Sequence, residues 1–288
     1  MRKKTASLLL AWLLMMCAAA SAELYTDRLP REDWYKRPLL RLTAFRTGES
    51  DCMLLECGGQ SMIVDAGMAS YRDPLIRALE EYGISRFKYL FNTHYHEDHI
   101  GGMRWLMQHG FEVGAYLHPY TDYAAQIIYR HRDTIREAER QSIPIRQVSA
   151  GDTLLLGEAV IHLMRYEDGA TTNARSTVAR VEFGGASLLL TADIVGETQN
   201  WMLKNVPPEW LDADILKAPH HGITAMVPAF LEAVSPQALL INNDYDRVDK
   251  GRVQAENYGL PAYYSGEGRV VFETDGADWY VYQKLNEF

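Results

Sequence analysis

The chain has 288 residues, of which 47% are hydrophobic and 23% are charged, so it is too apolar for a disordered protein and long enough for one large domain or two small ones. Its formal net charge of −9 at pH 7 argues against a broad basic surface for nucleic acid. Three cysteines in the whole chain exclude a disulfide-stabilised scaffold.

The first 22 residues have the composition of an export signal. Basic residues at 2–4 precede an apolar run over 6–20, and small residues at 20–22 suit signal peptidase. The run is short for a membrane span of about 20 residues, although a retained signal anchor is the alternative. We therefore predict a secreted or extracytoplasmic protein that begins at Glu23 and has no stable membrane insertion. Cleavage leaves 26 basic against 38 acidic residues, a net charge of −12.

Cleavage also leaves only Cys52 and Cys57, which lie in one strand-like run. Five extended residues span about 16 Å, far more than the Cα separation of about 5.5 Å in a disulfide. We predict that both are buried free thiols.

Beyond an extended lead-in over residues 23–38, the first half of the chain reads as strands followed by helices. Apolar and β-branched runs predict strands at 39–45, 53–57, 61–64 and 87–91. Helical spacing predicts helices at 72–82, 98–108 and 122–140. Gly83 ends the first helix.

The second half repeats this order. Strands are predicted at 159–164, 177–183, 187–191, 215–218, 238–241, 269–274 and 279–282. Helices are predicted at 197–204 and 227–234. Because no Pro-, Gly- or Ser-rich linker separates the halves, we predict a single α/β domain over 39–288, with two sheets packed face to face and helices outside.

Three histidines and an aspartate directly follow the strand predicted at 87–91, in the order His94, His96, Asp98 and His99. In an extended segment His94 and His96 point the same way, and a turn into a helix brings Asp98 and His99 to a neighbouring position. The two pairs can therefore hold two metal ions. Imidazole and carboxylate ligands suit Zn and tolerate Mn or Fe. The alternative is a polar loop at a helix start.

Other metal-binding side chains also follow predicted strands. Asp65 and Asp193 each close an apolar run, and His220 and His221 close another. An aspartate after a strand is often a helix cap, so Asp193 alone is ambiguous. Two adjacent histidines in that place are rarer. His162 lies within a strand-like run and is interpreted as a packing residue.

Together these motifs resemble the metallo-β-lactamase fold superfamily, and more narrowly the extracellular hydrolase domain of the ComEC competence proteins and its secreted stand-alone relatives. The resemblance covers about residues 39–285. The matching segments are Gly48-Glu-Ser-Asp51 (with Ser50 where a second glycine is usual), Leu54-Leu55-Glu56, Ile63-Val-Asp65-Ala-Gly67, His94-x-His96-x-Asp98-His99-x-Gly101-Gly102, Leu189-Leu-Thr-Ala-Asp193 and Leu216-Lys-Ala-Pro-His220-His221-Gly222.

The resemblance implies an αββα sandwich and a role for each matching residue. His94 and His96 would hold one metal ion, which we call site one. Asp98, His99 and His220 would hold a second at site two, with Asp193 bridging the sites. Asp65 would orient the metal-binding loop through hydrogen bonds, as residues behind metal ligands do. Asp98 and His221 are the expected catalytic residues, His221 by orienting substrate or protonating a leaving group. Which of His220 and His221 binds metal stays open.

The chain departs from the wider superfamily at one position. Most members have a further histidine between the first motif and the bridging aspartate, and none of the histidines in that interval here lies where the motif requires it. The equivalent stretch contains Asn173, so Asn173 or a water is expected there. Site one would then be poorer in protein ligands.

The function implied is that of a hydrolase with two divalent metal ions, Zn or alternatively Mn or Fe, that cleaves a phosphodiester through a metal-bridging hydroxide. The charge of −12 favours a small-molecule or headgroup-like phosphodiester over extended nucleic acid, although metal charge can outweigh a distant net charge. Two alternatives remain: hydrolysis of a lactone, β-lactam or other acyl bond at the same site, and a metal-stabilised binding module without turnover.

Overall fold

The computed structural model describes residues 22–119 and 128–288. The export signal predicted for 1–22 lies outside these residues except for Ala22, and so does the first part of the helix predicted at 122–140. In the part of the chain that is described, no helix is long and apolar enough to cross a membrane.

Among the described residues, the first sheet contains nine strands whose order in space differs from their order in the chain. In spatial order they are β1 (Leu24–Tyr25), β16 (Trp279–Leu285), β15 (Gly268–Thr274), β2 (Leu40–Ala44), β3 (Cys52–Cys57), β4 (Gln60–Ala66), β5 (Arg86–Phe91), β6 (Glu112–His118) and β7 (Ile145–Gln147). Strands β2 to β4 are antiparallel, whereas β4 to β7 are parallel.

The second sheet has seven strands within the described ranges and the same change of direction. In spatial order they are β14 (Ala262–Tyr264), β13 (Ala238–Ile241), β12 (Ile215–Lys217), β11 (Ala186–Leu190), β10 (Val178–Phe183), β9 (Ala159–Met164) and β8 (Thr153–Leu156). Strands β8 to β11 are antiparallel and β11 to β14 are parallel.

Helices cover the outer face of each sheet. Those beside the first sheet are α1 (Arg72–Glu81), α2 (Glu97–Ile100), α3 (Met103–His109) and α4 (Ile128–Arg140). Those that follow strands of the second sheet are α5 (Gly196–Asn205), α6 (Pro208–Leu211), α7 (Pro228–Val234) and α8 (Asp249–Asn257).

The buried apolar side chains form three layers that match this arrangement. Alternation along β4 shows the principle, because Met62 and Val64 face the core between the sheets while Ile63 packs with the helices. The second sheet likewise turns Leu188 toward the first sheet and Leu189 toward α5 and α7. The predicted αββα sandwich of two packed mixed sheets is confirmed.

Every strand predicted from the sequence is present, with its ends at most three residues from the predicted positions. The predicted strands miss β1, β6, β7, β8 and β14, and the predicted helices miss α6 and α8. The lead-in packs on the first sheet: β1 pairs with β16, and the buried Trp34 donates a hydrogen bond to Glu273. Cys52 and Cys57 are confirmed as buried free thiols.

The helix predicted at 98–108 is instead two helices separated by Gly101 and Gly102. A Cβ at Gly102 would lie 2.2 Å from the carbonyl oxygen of Ala66, and one at Gly101 would lie 2.5 Å from the backbone nitrogen of Ala69. Only glycine allows the chain to pass this close to the end of β4. This close approach brings the residues before Gly101 against the residues after β4.

We expect Gly102→Ala to lower the free energy of unfolding by about 2–3 kcal/mol, since a backbone atom blocks the new methyl group. Gly196→Ala is the matched control, because its Cβ would meet only Val227 Cγ2, at 3.6 Å. Denaturant titration of both variants measures the difference. Equal stability of the two variants would contradict this packing.

Candidate metal centre

The histidines and aspartates singled out from the sequence come together at one edge of the sandwich. Asp65 is the next-to-last residue of β4, and His94 follows β5. In the second sheet, Asp193 follows β11 and His221 follows β12. These are carboxyl ends of strands in the parallel part of each sheet, where side chains of successive loops meet.

Asp193 lies at the middle of the cluster and is 1% exposed. Its Oδ1 atom is 3.2 Å from Nε2 of His99 and 3.3 Å from Nε2 of His221. Its Oδ2 atom faces a different pair, 3.8 Å from Nε2 of His94 and 3.9 Å from Nε2 of His220. The two oxygens of one carboxylate therefore face two separate sets of imidazoles, as a bridging ligand must.

On the Oδ1 side, three further ligand atoms converge. The Nε2 atoms of His99 and His221 are 3.3 Å apart. Asp98 Oδ2 lies 3.1 Å from His221 Nε2 and 3.8 Å from His99 Nε2. This group corresponds to site two of the sequence analysis, with His221 in the place expected for His220.

On the Oδ2 side, His94 Nε2 lies 3.2 Å from His96 Nδ1. These two nitrogens and an Asp193 oxygen all lie within 4.8 Å of one another. His94 is fully buried, whereas His96 is partly exposed. This group corresponds to site one.

The donor set fits divalent metal ions. Imidazole nitrogens that face one another across about 3.3 Å, with carboxylate oxygens beside them, are the ligands that bind zinc-like ions at about 2.0–2.2 Å. Asp193 Oδ1 is buried and makes no hydrogen bond of good geometry. A buried carboxylate oxygen in that state is costly unless a cation occupies the space in front of it.

Asp65 lies behind the cluster. Its side chain accepts hydrogen bonds from the backbone nitrogen of Thr93 at 2.8 Å, the Thr93 hydroxyl at 2.6 Å and the Asn92 amide at 2.9 Å. Its Oδ2 is 2.7 Å from His99 Nδ1, which leaves His99 Nε2 directed at Asp193. These contacts are those of a group that orients an imidazole without binding metal.

The adjacent histidines His220 and His221 diverge because of their backbone. Both have left-handed φ angles, 50° and 52°, and Gly222 follows with a φ of 74°. Such angles are costly for residues other than glycine and are found where a site requires them. Consequently His221 is buried in site two, whereas the His220 side chain is 23% exposed and lies beside Asp193 Oδ2.

Asn173 lies beside His220. Its Nδ2 is 3.2 Å from His220 Nε2, so its contact with the centre runs through that imidazole. The other histidines lie elsewhere: His162 stacks on Trp210, and His118 and His131 pack with Tyr95.

Two residues that the sequence analysis did not single out also reach the centre. Lys217, the last residue of β12, has its Nζ 2.6 Å from Asp51 Oδ2. Asp51 Oδ1 in turn lies 3.1 Å from His221 Nδ1. Both side chains are fully buried. The only signals for them were their places in the Gly48–Asp51 and Leu216–Gly222 motifs.

The charges of the cluster follow from these contacts. Burial opposes ionisation of Asp98, but the hydrogen bond with His221 and the nearby His99 outweigh it and lower the pKa of Asp98 to about 2. Burial also opposes protonation of His99, yet Asp193 and Asp65 raise the pKa of His99 to about 10. Burial lowers the pKa of His94. The centre therefore attracts positive charge, chiefly on the side of site two.

The two-sheet fold and the bridging arrangement together define a class, the metal-dependent hydrolases. Residues 46–236 match the family model described as "Metallo-beta-lactamase superfamily", and the chain belongs to that superfamily. The resemblance noted in the sequence is thereby confirmed at the level of the superfamily.

Among sequence relatives, the chain is 30% identical over 178 residues to "ComE operon protein 3" of Bacillus subtilis (strain 168). The matched segment is 59% of this chain and 22% of that protein, so the chain spans about a fifth of its relative.

Two solved structures have the same fold. The metallo-beta-lactamase fold protein YhfI from Bacillus subtilis has a TM-score of 0.55 and 15% identity, covering 83% of this chain and 100% of that one. A new diphosphatase from the PhnP family has a TM-score of 0.50 and 14% identity, and the match covers 82% of this chain and 98% of that one. At these identities the likeness shows the fold alone.

Proposed function

We propose that this chain is an exported hydrolase that uses two divalent metal ions to cleave a phosphodiester. The observation that carries the proposal is the placement of Asp193, whose two oxygens face two different imidazole groups. Bridged pairs of metal ions are typical of enzymes that cleave phosphate esters.

In this proposal Asp98, His99 and His221 hold one ion, and His94 and His96 hold the other, with Asp193 shared. Zn is the expected metal, with Mn or Fe as alternatives. When bound, two such ions lower the pKa of water toward neutrality and polarise the bond under attack. The fold contributes rigidity, since the ligands follow strands that are paired on both sides.

His220 takes the role of the substrate-facing residue. Its side chain is 23% exposed while that of His221 is 1% exposed, so His220 can contact a molecule bound at the centre. The Asn173 Nδ2 lies 3.2 Å from His220 Nε2 and holds the His220 ring in place. We propose that His220 orients the substrate through the exposed part of its ring, a role that the sequence alone suggested for His221.

The proposed substrate is a small or headgroup-like phosphodiester. With a net charge of −12 after signal cleavage, the protein repels an extended polyanion more than a compact one. One protein of the same fold is a diphosphatase, which supports testing phosphorus–oxygen bonds first.

Turnover of bis(para-nitrophenyl) phosphate by the purified mature protein tests the function. We expect release of nitrophenolate that stops when a chelator removes the metal and returns when Zn²⁺ or Mn²⁺ is added. A chromogenic β-lactam and a lactone assayed in parallel identify the acyl-bond alternative. Bound metal with no turnover of any of the three would favour a binding module.

Export is tested separately by N-terminal sequencing of exported material, both released and membrane-bound. The basic cluster, apolar run and small residues at 20–22 predict a mature chain that starts at Glu23. An intact Met1 would favour a signal anchor.

A further inference from the structure

The buried pair of Lys217 and Asp51 lies directly behind site two. Lys217 Nζ is 2.6 Å from Asp51 Oδ2, donates a hydrogen bond to the carbonyl oxygen of Ala192 at 2.8 Å, and lies 3.8 Å from Asp193 Oδ1. A lysine buried without exposed surface is rare and requires such partners. The ammonium group thus forms a fixed cation beside the bridging carboxylate.

Asp51 has the distances of a possible metal ligand. One of its oxygens lies within 4.8 Å of ligand atoms of His99, Asp193 and His221. On distance alone, Asp51 could bind an ion at site two or could orient the residues that do. The contacts of its two oxygens distinguish these roles.

Both oxygens of Asp51 already have partners, and the imidazole nitrogen that they face is Nδ1 of His221, not the Nε2 directed at the metal site. Oδ2 is held by Lys217, and Oδ1 accepts a hydrogen bond from Asn242 Nδ2 at 3.0 Å and faces His221 Nδ1 at 3.1 Å. That contact leaves His221 Nε2 directed at Asp98 and Asp193. Asp65 makes the equivalent contact with His99, since its Oδ2 lies 2.7 Å from His99 Nδ1. A carboxylate on the far nitrogen of a metal-binding imidazole fixes its orientation and tautomer.

We infer that Lys217 and Asp51 are positioning residues of site two, in which Lys217 holds Asp51 against His221 Nδ1 and keeps it from binding the metal. The inference rests on the proposed two-metal centre. It predicts that Lys217 acts on site two through Asp51, and that the Asp51 carboxylate enters the ligand set of site two when Lys217 is removed.

The test uses the mature protein, titrated with Co²⁺ in the absence of substrate, in four forms: wild type, Asp51→Asn, Lys217→Met, and the double variant. Titration without substrate separates this inference from the proposed function, because metal binding is read whether or not a phosphodiester is cleaved. Lys204→Met, at an exposed position of α5, is the matched control.

For Asp51→Asn we expect two bound ions, an unchanged Co²⁺ absorption spectrum and a site-two affinity lower by about 10–100-fold, as for other residues behind metal ligands. For Lys217→Met we expect a changed spectrum, because the released Asp51 carboxylate enters the coordination sphere and raises the coordination number. The double variant should return to the spectrum and affinity of Asp51→Asn.

Loss of one bound ion in Asp51→Asn would make Asp51 a ligand and overturn the inference. An unchanged spectrum in Lys217→Met would do the same. If Lys217→Met does not fold because the Asp51 carboxylate is left unpaired, the metal affinity of the double variant tests the inference instead. Metal binding in the double variant much weaker than in Asp51→Asn would show that Lys217 acts independently and would also overturn the inference.

Discussion

Asp193→Ala should lose metal from both sites and abolish hydrolysis. One carboxylate serves both imidazole groups, so its removal takes a ligand from each ion at once. It also leaves Asp98 as the one carboxylate among the described residues beside the His99 and His221 Nε2 atoms, which face one another across 3.3 Å. Metal content per chain and turnover of the chromogenic phosphodiester, measured on the same preparation, give the result.

Two further variants serve as comparisons for Asp193→Ala. Asp65→Asn should keep both ions and cost about 10–100-fold in metal affinity or turnover, because Asp65 contacts His99 on the far nitrogen. Asp168→Ala, at an exposed position, should behave as wild type. Full turnover with two ions in Asp193→Ala would refute the bridging assignment.

The two adjacent histidines should give opposite patterns when each is replaced. His221→Ala should lose the ion of site two, since His221 Nε2 lies 3.1 Å from Asp98 and 3.3 Å from Asp193. His220→Ala should keep both ions and lower turnover by about 10²–10⁴-fold, the usual range for a residue that acts on the substrate during reaction.

The measurement is again metal stoichiometry beside turnover, with Asn173→Ala as a third variant. Asn173 supports the His220 ring, so its loss should reproduce part of the His220→Ala effect on turnover without loss of metal. Loss of an ion in His220→Ala but not in His221→Ala would restore the assignment that the sequence suggested.

Much of the fold and the position of the site could be predicted from the sequence because both depend on local patterns. Apolar and β-branched runs identified strands such as β4 and β9, and the spacing of His94, His96, Asp98 and His99 within one segment placed the candidate metal ligands. Helix α8 was missed because it is mostly polar and its buried residues are Gly251, Gln254 and Ala255, so no apolar face marks it.

The choice between His220 and His221 could not be made from sequence, since it depends on two consecutive left-handed residues. The roles of Asp51 and Lys217 also could not be predicted from the sequence. Each is an ordinary charged residue in its own segment, and its role depends on a contact between the end of β12 and the residue before β3.

The order of strands in the first sheet has a consequence for how the protein is made. Strand β15 lies between β2 and β16, so segments from the two ends of the described chain are neighbours in space. While residues 268–285 are still missing, β2 lacks a partner along one edge and the first sheet cannot close. Contacts between segments so distant in sequence form slowly. During synthesis the first sheet therefore stays incomplete until residues 268–285 are available to pair with β2.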